Sequence, residues 1–342
     1  MADPLHTIVD RIPLSGRASF IDHFNGTLYC TGDSIQRINL STREVTVIGP
    51  PATLSTVVVA VDFHRPFPVS PDIVGSGTPD GRIYVATFSN DFVDGDGWTA
   101  FDDFEAVEIT PPLLDQFSQF KLSPAPASRF RPLVTAMVVS SDGRYLYYFD
   151  VTTFQLGIVD LAAGPRMVGA VALENWSMSM VISPDDRLIY VAHPFNGYIS
   201  VVDTSAWPAP VRKVPIDNGP FRLALSADGK RLFVAQSGDS GSPGDLGTGT
   251  LSVIDTATLE RQQVLTGDHS TDVTLNSTGT RAYVSNSGNP GTVSVVDVTG
   301  SPRVIATIAG FTYPSFVRLS ADDTRLYVLD SATSPGIAVA AV

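Results

Sequence analysis

The sequence predicts an all-β fold built from one repeated unit, and three observations support this prediction. The apolar stretches are only as long as a strand, and none approaches the roughly 18–20 residues that a membrane span needs. Glycine and proline are frequent, with 28 and 25 copies in 342 residues, which is typical of short strands joined by turns. A turn of the Ser-x-Asp-Gly type also recurs at a nearly constant spacing, which indicates an internal repeat.

The repeated unit contains four strands and a characteristic turn. An apolar strand leads into the turn, an aromatic-aliphatic strand follows it, and a third strand ends in Val-Val-Asp or a similar triplet before a fourth strand. The five clear turns are centred on Asp142, Asp185, Asp228, Thr278 and Asp322, at spacings of 43, 43, 50 and 44 residues. Asp-Gly pairs provide the positive φ angles of tight hairpins. The Asp that closes a third strand is expected to accept amides of the following turn, which is a structural role.

Two more degenerate units precede these five, and the chain ends complete the last one. Asn25-Gly26 and Pro79-Asp80-Gly81 mark the turns of the two degenerate units, the second of which carries insertions. The final unit, Phe316–Val342, has only three strands, and Thr7–Leu14 matches a fourth strand in type. Pairing these segments would leave no long exposed strand edge. The sequence therefore predicts a seven-bladed β-propeller of four-stranded antiparallel blades, in which the N-terminal strand closes the last blade.

We predict a single propeller domain over residues 1–342. The predicted blade limits are about 17–50, 54–123, 132–173, 176–217, 220–266, 269–310, and 313–342 plus 5–14.

The repeat also resembles a known family. The unit Ser-Pro/Ala-Asp-x-x-Leu-Tyr-Val-Ala…Val-Val-Asp-Thr, clearest at Ser183–Thr204 and Ser226–Thr256, resembles the YVTN-type β-propeller repeat. The resemblance covers essentially the whole chain, strongly in blades 3 to 7 and weakly in blades 1 and 2. That superfamily includes surface-layer-like proteins, lactonase-type propellers and propeller subunits of amine dehydrogenases. The resemblance therefore implies a fold, and it implies no single function.

Charge and cysteine content narrow the partners and the compartment. The net charge of −13 repels phosphate groups, so neither nucleic acid nor an anionic membrane surface is an expected partner. Membrane insertion is not expected either, because the apolar stretches are only as long as a strand. The single cysteine, Cys30, allows no intramolecular disulfide and is expected to be a small core residue rather than a nucleophile. The first residues lack the features of a signal peptide, so we expect a cytoplasmic protein or a secreted mature form whose leader was removed. A monomer that binds a small molecule, a protein or both is expected.

Topology predicts which loops of a propeller meet at its central channel. The links between blades lie on one face together with the loops between second and third strands, and we call this face the link face. Function is expected there, because the opposite face carries the regular turns. Candidate acid–base residues on the link face are His193, His269 and Asp272. Candidate ligand-binding residues are Arg17, Phe20, Arg131, Trp176, Met178, Asn196, Phe221, Arg222, Gln236, Asn286, Tyr313 and Asp330. Alternatively, the large apolar members of this set fill the channel.

An acidic insertion in blade 2 is the candidate metal site. Asp91, Asp94 and Asp96 lie in SNDFVDGDGWTAFDD, and calcium prefers several carboxylates around a glycine-containing turn. The insertion lacks the twelfth-position Glu and the flanking helices of an EF-hand, so a solvated acidic loop is the alternative. No other cofactor is predicted, because dinucleotide, haem and iron–sulfur motifs do not occur.

Three functions are compatible with these features. The first is a propeller that binds a small polar or anionic molecule, or a partner, at the mouth of its channel. The second is a cofactor-independent enzyme, such as a lyase, lactone hydrolase, isomerase or cyclase, that uses acid–base residues at that mouth. The third is a non-redox subunit of a larger complex.

Overall fold

The regular elements of the chain are β-strands wherever the structure describes it. The computed structural model describes residues 5–14, 18–24, 27–32, 35–47, 57–62, 83–88, 104–109, 117–121, 134–150, 153–163, 166–177, 179–217, 219–238, 247–330 and 336–342. Within these ranges, the strands form seven four-stranded antiparallel sheets. No helix in them is long and apolar enough to cross a membrane. The all-β prediction is therefore confirmed, and we number the sheets as blades 1 to 7 in chain order.

The chain divides into two compact units, and blades 1 to 3 belong to the first of them. This N-terminal unit comprises Ser15–Val69 and Ile73–Asn175. Each of its sheets places the strands in chain order. Blade 1 contains β2 (Ala18–Phe24), β3 (Thr27–Gly32), β4 (Ile35–Asn39) and β5 (Val45–Val47); blade 2 contains β6 (Val57–Asp62), β7 (Ile83–Phe88), β8 (Phe104–Ile109) and β9 (Phe117–Lys121); blade 3 contains β10 (Val134–Val139), β11 (Tyr145–Asp150), β12 (Gln155–Asp160) and β13 (Arg166–Ala172).

Blades 4 to 7 belong to the second unit. This C-terminal unit comprises Met1–Leu14, Ser70–Asp72 and Trp176–Val342. Blade 4 contains β14 (Ser179–Ile182), β15 (Leu188–His193), β16 (Tyr198–Asp203) and β17 (Val211–Pro215); blade 5 contains β18 (Pro220–Leu225), β19 (Arg231–Gln236), β20 (Thr248–Asp255) and β21 (Arg261–Asp268); blade 6 contains β22 (Ser270–Leu275), β23 (Arg281–Asn286), β24 (Gly291–Asp297) and β25 (Arg303–Phe311); blade 7 contains β26 (Pro314–Leu319), β27 (Arg325–Asp330), β28 (Gly336–Ala341) and β1 (Thr7–Pro13).

The fourth strand of blade 7 comes from the N-terminal end of the chain. β1 pairs antiparallel with β28, with Thr7 opposite Ala341 and Pro13 opposite Gly336. The sheet order β1-β28-β27-β26 confirms the closing strand that the sequence predicts. A salt bridge of 3.1 Å from Arg11 to Asp330 also ties β1 to the second strand of the same blade. The blade limits and the single-domain assignment stay predictions.

The repeated turn is built by a serine hydroxyl and an aspartate. The Ser hydroxyl donates to the Asp carboxylate at 2.5–2.6 Å in the pairs Ser140–Asp142, Ser183–Asp185, Ser226–Asp228 and Ser320–Asp322. The residue after the Asp has a positive φ, which is 68° at Gly143 and 69° at Gly229. Asp186 and Asp323 occupy the same position with φ of 58° and 57°. Aspartate is one of the few non-glycine residues that tolerate this conformation.

In blades 3 to 6, the aspartate that ends the third strand stabilises the turn after it, as predicted. Each carboxylate accepts the amide of the residue two positions later at 2.9–3.1 Å. These acceptors are Asp160, Asp203, Asp255 and Asp297. These residues are therefore structural, and the recurring Val-Val-Asp ending is part of the repeat.

Neighbouring blades of the C-terminal unit pack through apolar side chains. Tyr190 and Val201 of blade 4 lie in one buried cluster with Leu223 of blade 5. Tyr283 of blade 6 and Val328 of blade 7 lie in another. Burial of these side chains is the main stabilising contribution, and it holds consecutive blades against one another.

We expect acid to destabilise the fold through its turn aspartates. The Thr299 hydroxyl, the Thr299 amide and Arg303 lower the pKa of Asp297 to about 2. Serine hydroxyls lower the pKa of Asp185, Asp228 and Asp322 in the same direction. A carboxylate with a lowered folded-state pKa stabilises the fold above its unfolded value and loses this contribution as pH falls through the folded value. The urea concentration at the midpoint of unfolding should therefore be constant near neutral pH and decrease between about pH 4 and pH 2.

A paired substitution tests this cause. Asp228→Asn with Asp322→Asn keeps an acceptor oxygen in each turn and removes the titrating charge. The double variant should be less stable at neutral pH and should lose less stability on acidification. An unchanged acid dependence would assign the transition to other carboxylates.

Candidate ligand site on the link face

Four of the predicted site residues occupy one repeated position, the last residue of the second strand. His193, Gln236, Asn286 and Asp330 end β15, β19, β23 and β27. Each side chain is polar, and none of these residues is more than 3% exposed. A buried polar group needs hydrogen-bond partners, so their contacts decide what they do.

His193 joins the link before its blade to the third strand. Its Nδ1 lies 3.0 Å from the carbonyl oxygen of Trp176, and its Nε2 lies 2.9 Å from the Ser200 hydroxyl. Because a carbonyl only accepts, Nδ1 donates to it, and Nε2 shares a hydrogen bond with the Ser200 hydroxyl. The Tyr198 ring packs at 4.5 Å between centroids. Both ring nitrogens therefore have structural partners.

The amide side chains in the next two blades make equivalent contacts. Gln236 donates through Nε2 to the Asp217 carbonyl in the link before blade 5, and its Oε1 accepts from the Ser252 hydroxyl. Asn286 accepts the hydroxyl of Ser270, the first residue of blade 6, at 2.8 Å. Its Nδ2 also donates to Ser294 on the third strand at 3.0 Å. Each amide thus holds the start of its blade.

Asp330 holds the link before blade 7 through backbone amides. Its carboxylate accepts the Tyr313 amide at 2.7 Å and the Thr312 amide at 3.1 Å. Arg11 of β1 contacts the same carboxylate. The four side chains at this position therefore share a structural role. Their predicted catalytic or ligand-binding roles stay predictions.

Aromatic side chains lie on the link face beside these buried polar residues. Trp176 stacks on Phe195 with centroids 5.1 Å apart, and Phe195 is 58% exposed. Phe221 and His269 lie in tilted contact at 6.2 Å, and Tyr313 is 44% exposed. We call Trp176, Phe195, Phe221 and Tyr313 the link-face aromatic group. Asn196 is exposed next to Phe195, and its backbone N–H donates to the backbone carbonyl of His193.

Below this face, charged side chains gather on the first strands of blades 5, 6 and 7. The Arg222 guanidinium lies over the Phe316 ring, 4.7 Å from its centroid. Asp272 accepts Arg318 Nη1 at 2.6 Å and the Val317 amide at 3.0 Å. Burial lowers the pKa of Arg222 to about 10, although Asp272 raises it. We call Arg222, Asp272 and Arg318 the basic cluster.

A backbone irregularity places these side chains together. β18, β22 and β26 each carry a bulge near the start, and the residues after the bulges are Arg222, Asp272 and Phe316. Bulges redirect side chains and often lie beside functional sites. Arg318 was missed by sequence reasoning. The sequence did contain an indication of Arg318, because it is a charged residue within a largely apolar first strand. It follows Phe316 by two positions and therefore lies on the same face of the strand.

Several predicted site residues lie outside the described part of the chain. They are Arg17, Arg131 and Met178, together with the candidate calcium ligands Asp91, Asp94 and Asp96. Phe20 lies in β2, but its side chain is outside the description. The described residues contain no group of three or more His, Cys, Asp or Glu side chains that could hold a metal ion. The calcium site stays a prediction.

Cys30 is buried in β3, and burial raises the pKa of its thiol to about 12. A thiol with such a pKa is protonated at neutral pH, and the thiolate is the nucleophilic form. The expectation of a core cysteine is therefore confirmed.

We predict that His193 contributes to stability through its two hydrogen bonds. His193→Leu leaves the Trp176 carbonyl and the Ser200 hydroxyl without this partner and should cost about 1–3 kcal/mol in the free energy of unfolding. His193→Gln supplies the amide that Gln236 uses at the same position of blade 5, so it should recover much of the loss. Urea denaturation measures both effects. If His193→Leu is as stable as the unsubstituted protein, these bonds do not hold the link.

Solved structures similar to the chain are β-propellers, and their likeness is structural. Hydrazine synthase of Kuenenia stuttgartiensis aligns with a TM-score of 0.68 and 14% identity over 94% of both chains. The Cps50 (Swd1) β-propeller domain of Myceliophteria thermophila gives 0.67 and 12% over 98% of this chain and 99% of that one. A chain of the Mitotic Checkpoint Complex gives 0.72 and 13% over 100% and 98%. No protein-family model matches, and no curated protein matches significantly. The comparisons establish the β-propeller fold.

Proposed function

We propose that this protein is a binding propeller without chemistry of its own, and that it binds a small polar or anionic molecule at the link face of its C-terminal unit. The supporting observation is a contrast between two sets of side chains on that face. The polar residues that end the second strands are buried and hydrogen-bonded within the protein, whereas Phe195 and Tyr313 are 58% and 44% exposed. Exposed aromatic rings among loops are typical of surfaces that contact ligands.

The basic cluster supports a polar or anionic ligand. Arg222 and Arg318 lie on first strands, which line the channel of a propeller. Their guanidinium groups place positive charge there in a chain whose net charge is −13. A ligand with an apolar body and an anionic group would therefore meet aromatic rings first and guanidinium groups below them.

The alternative of a cofactor-independent enzyme has weaker support. A general base needs a lone pair that can reach the substrate, and both ring nitrogens of His193 have protein partners. Asp272 accepts hydrogen bonds from Arg318 and from the Val317 amide. His269, next to Phe221, is the remaining candidate. Turnover of a bound molecule that stops in His269→Ala would favour the enzyme over the binding protein.

Trp176 provides a direct test of the proposed site. The chain has three tryptophans, so Trp98→Phe with Trp207→Phe leaves Trp176 as the only tryptophan emitter on the link face. Small organic acids and their neutral analogues should change this emission in a saturable way. Phe195→Ala and Tyr313→Ala in the same background should weaken binding, because they remove the exposed rings. Stability should change by no more than about 0.5 kcal/mol, as is usual at exposed positions.

Two controls complete this test. Trp98→Phe with Trp176→Phe should give no emission change, although the ligand still stabilises the protein in thermal unfolding. Leu265→Ala removes a 66% exposed apolar side chain from the fourth strand of blade 5 and should leave the affinity unchanged. Binding that is as tight in the Phe195 and Tyr313 variants as in their parent would exclude the link-face aromatic group.

A role as a subunit of a larger complex is the second candidate. Leu265, Val304 and Ile305 are exposed apolar residues on the fourth strands of blades 5 and 6, and one structural neighbour is a chain of the Mitotic Checkpoint Complex. Exposed apolar side chains grouped on a surface favour protein contacts. In this case Leu265→Lys would abolish an association that Phe195→Ala leaves intact, as measured by sedimentation velocity.

A further inference from the structure

The side chain of Arg222 in blade 5 reaches past the first strand of blade 6 to contact blade 7. Arg222 lies on β18 of blade 5, and its guanidinium stacks on Phe316 of β26 in blade 7. The first strand of blade 6, β22, packs between these two strands. A side chain that joins β18 to β26 must therefore pass over β22. This contact places the Arg222 guanidinium beside the first strands of blades 6 and 7.

Arg318 reaches the same place from the opposite side. Its Nη1 donates to the Asp272 carboxylate at 2.6 Å, and the two side chains are 15% and 4% exposed. The Val317 amide donates to the same carboxylate oxygen at 3.0 Å, so Asp272 is fixed by its neighbouring blade. Arg318 Nη1 also contacts the Val317 carbonyl at 2.7 Å. Asp272 thus acts as a positioning residue for Arg318.

The chemistry of the basic cluster favours an anion that carries one negative charge. Burial lowers the pKa of Arg222 only to about 10, so its guanidinium is charged at neutral pH. Arginine side chains in proteins are not deprotonated, so Arg318 carries a positive charge as well. They lie near one carboxylate, which gives the cluster one more positive than negative charge. Each guanidinium has five N–H donors in a planar fork that matches a carboxylate in a bidentate way. One carboxylate would balance this excess charge, whereas a dianion would leave one negative charge uncompensated among buried side chains.

We propose that Arg222 and Arg318 form a carboxylate-binding subsite along the first strands of blades 5 to 7, and that its ligand is a monocarboxylate with an apolar, preferably aromatic, body. The apolar body lies toward Phe221 and the link-face aromatic group, and the carboxylate lies on the guanidinium groups. This inference rests on the proposed function for the location of the ligand, and it adds the ligand's chemical class and the residues that recognise it.

Three small probes that share a phenyl ring and differ in charge test the charge requirement. Benzoate carries one negative charge, benzamide is its neutral analogue, and phenyl phosphate approaches a dianion at neutral pH. Isothermal titration of the full chain should give measurable binding for benzoate and at least about tenfold weaker binding for benzamide, because charge-assisted hydrogen bonds are lost. Equal affinity for benzoate and benzamide would overturn the carboxylate subsite. Tighter binding of phenyl phosphate would overturn the preference for a single charge.

Substitutions locate the subsite, with a matched ion pair as control. Arg318→Met should weaken benzoate binding about tenfold or more, and Arg318→Lys should recover only part of it, because lysine lacks the planar fork. Arg303→Met removes a 72% exposed guanidinium that pairs with Asp297 at 2.8 Å on the fourth strand of blade 6, and it should leave binding unchanged. Equal weakening in the Arg303 and Arg318 variants would overturn the assignment.

A measurement on the unsubstituted protein covers the case in which Arg318→Met fails to fold. Phenylglyoxal modifies arginine side chains, and mass spectrometry of peptides reports each position separately. Saturating benzoate should slow the modification of Arg222 and Arg318 and leave that of Arg303 unchanged. No protection at Arg222 and Arg318 would overturn the subsite.

The outcomes separate this inference from the proposed function. If benzamide and benzoate both change the Trp176 emission equally, without protecting the arginines, the link-face site stands and the carboxylate subsite falls. If neither these probes nor the wider panel of acids changes that emission, the proposed function falls as well.

Discussion

A hydrogen bond from the last side chain of the second strand to the link before its own blade organises the link face of the C-terminal unit. His193, Gln236 and Asp330 make this contact to backbone groups, and Asn286 makes it to the Ser270 hydroxyl. Four different side chains thus perform one task. The contact fixes where each of these first strands begins. The aromatic rings on this face and the basic cluster lie next to the segments that it holds.

Much of the fold could be predicted, because the features that define it recur. The Asp-Gly turns, the aspartates that end third strands and the closing pairing of β1 with β28 depend on local rules that repeat along the chain. The candidate site was harder to predict. Sequence reasoning selected His193 as an acid–base residue because its loop lies on the right face, but sequence does not show that both ring nitrogens have structural partners. It named Arg222 and Asp272 among its candidates, and their predicted roles stay predictions, but it missed Arg318, which lies in an otherwise largely apolar strand.

The information about function lies where the blades differ. The residue after the first-strand bulge is Arg222 in blade 5, Asp272 in blade 6 and Phe316 in blade 7, while Ser179 takes the corresponding register position in blade 4. A search for the repeat finds the positions that the blades share and passes over these differences. The similar structures share the fold at 12–14% identity. The comparison gives little information about the proposed site, because that site consists of residues that differ from blade to blade.

The pairing of β1 with β28 has a mechanical consequence. Because the strands are antiparallel, Thr7 and Ala341 lie opposite each other at one end of the ladder, and Pro13 and Gly336 lie at the other end. A force applied at Thr7 and Ala341 would break the hydrogen bonds between these two strands one after another from that end. It would not shear all of them at once. Blade 7 would therefore open at low force. The same strand that completes the sheet at rest is the one that tension would remove first.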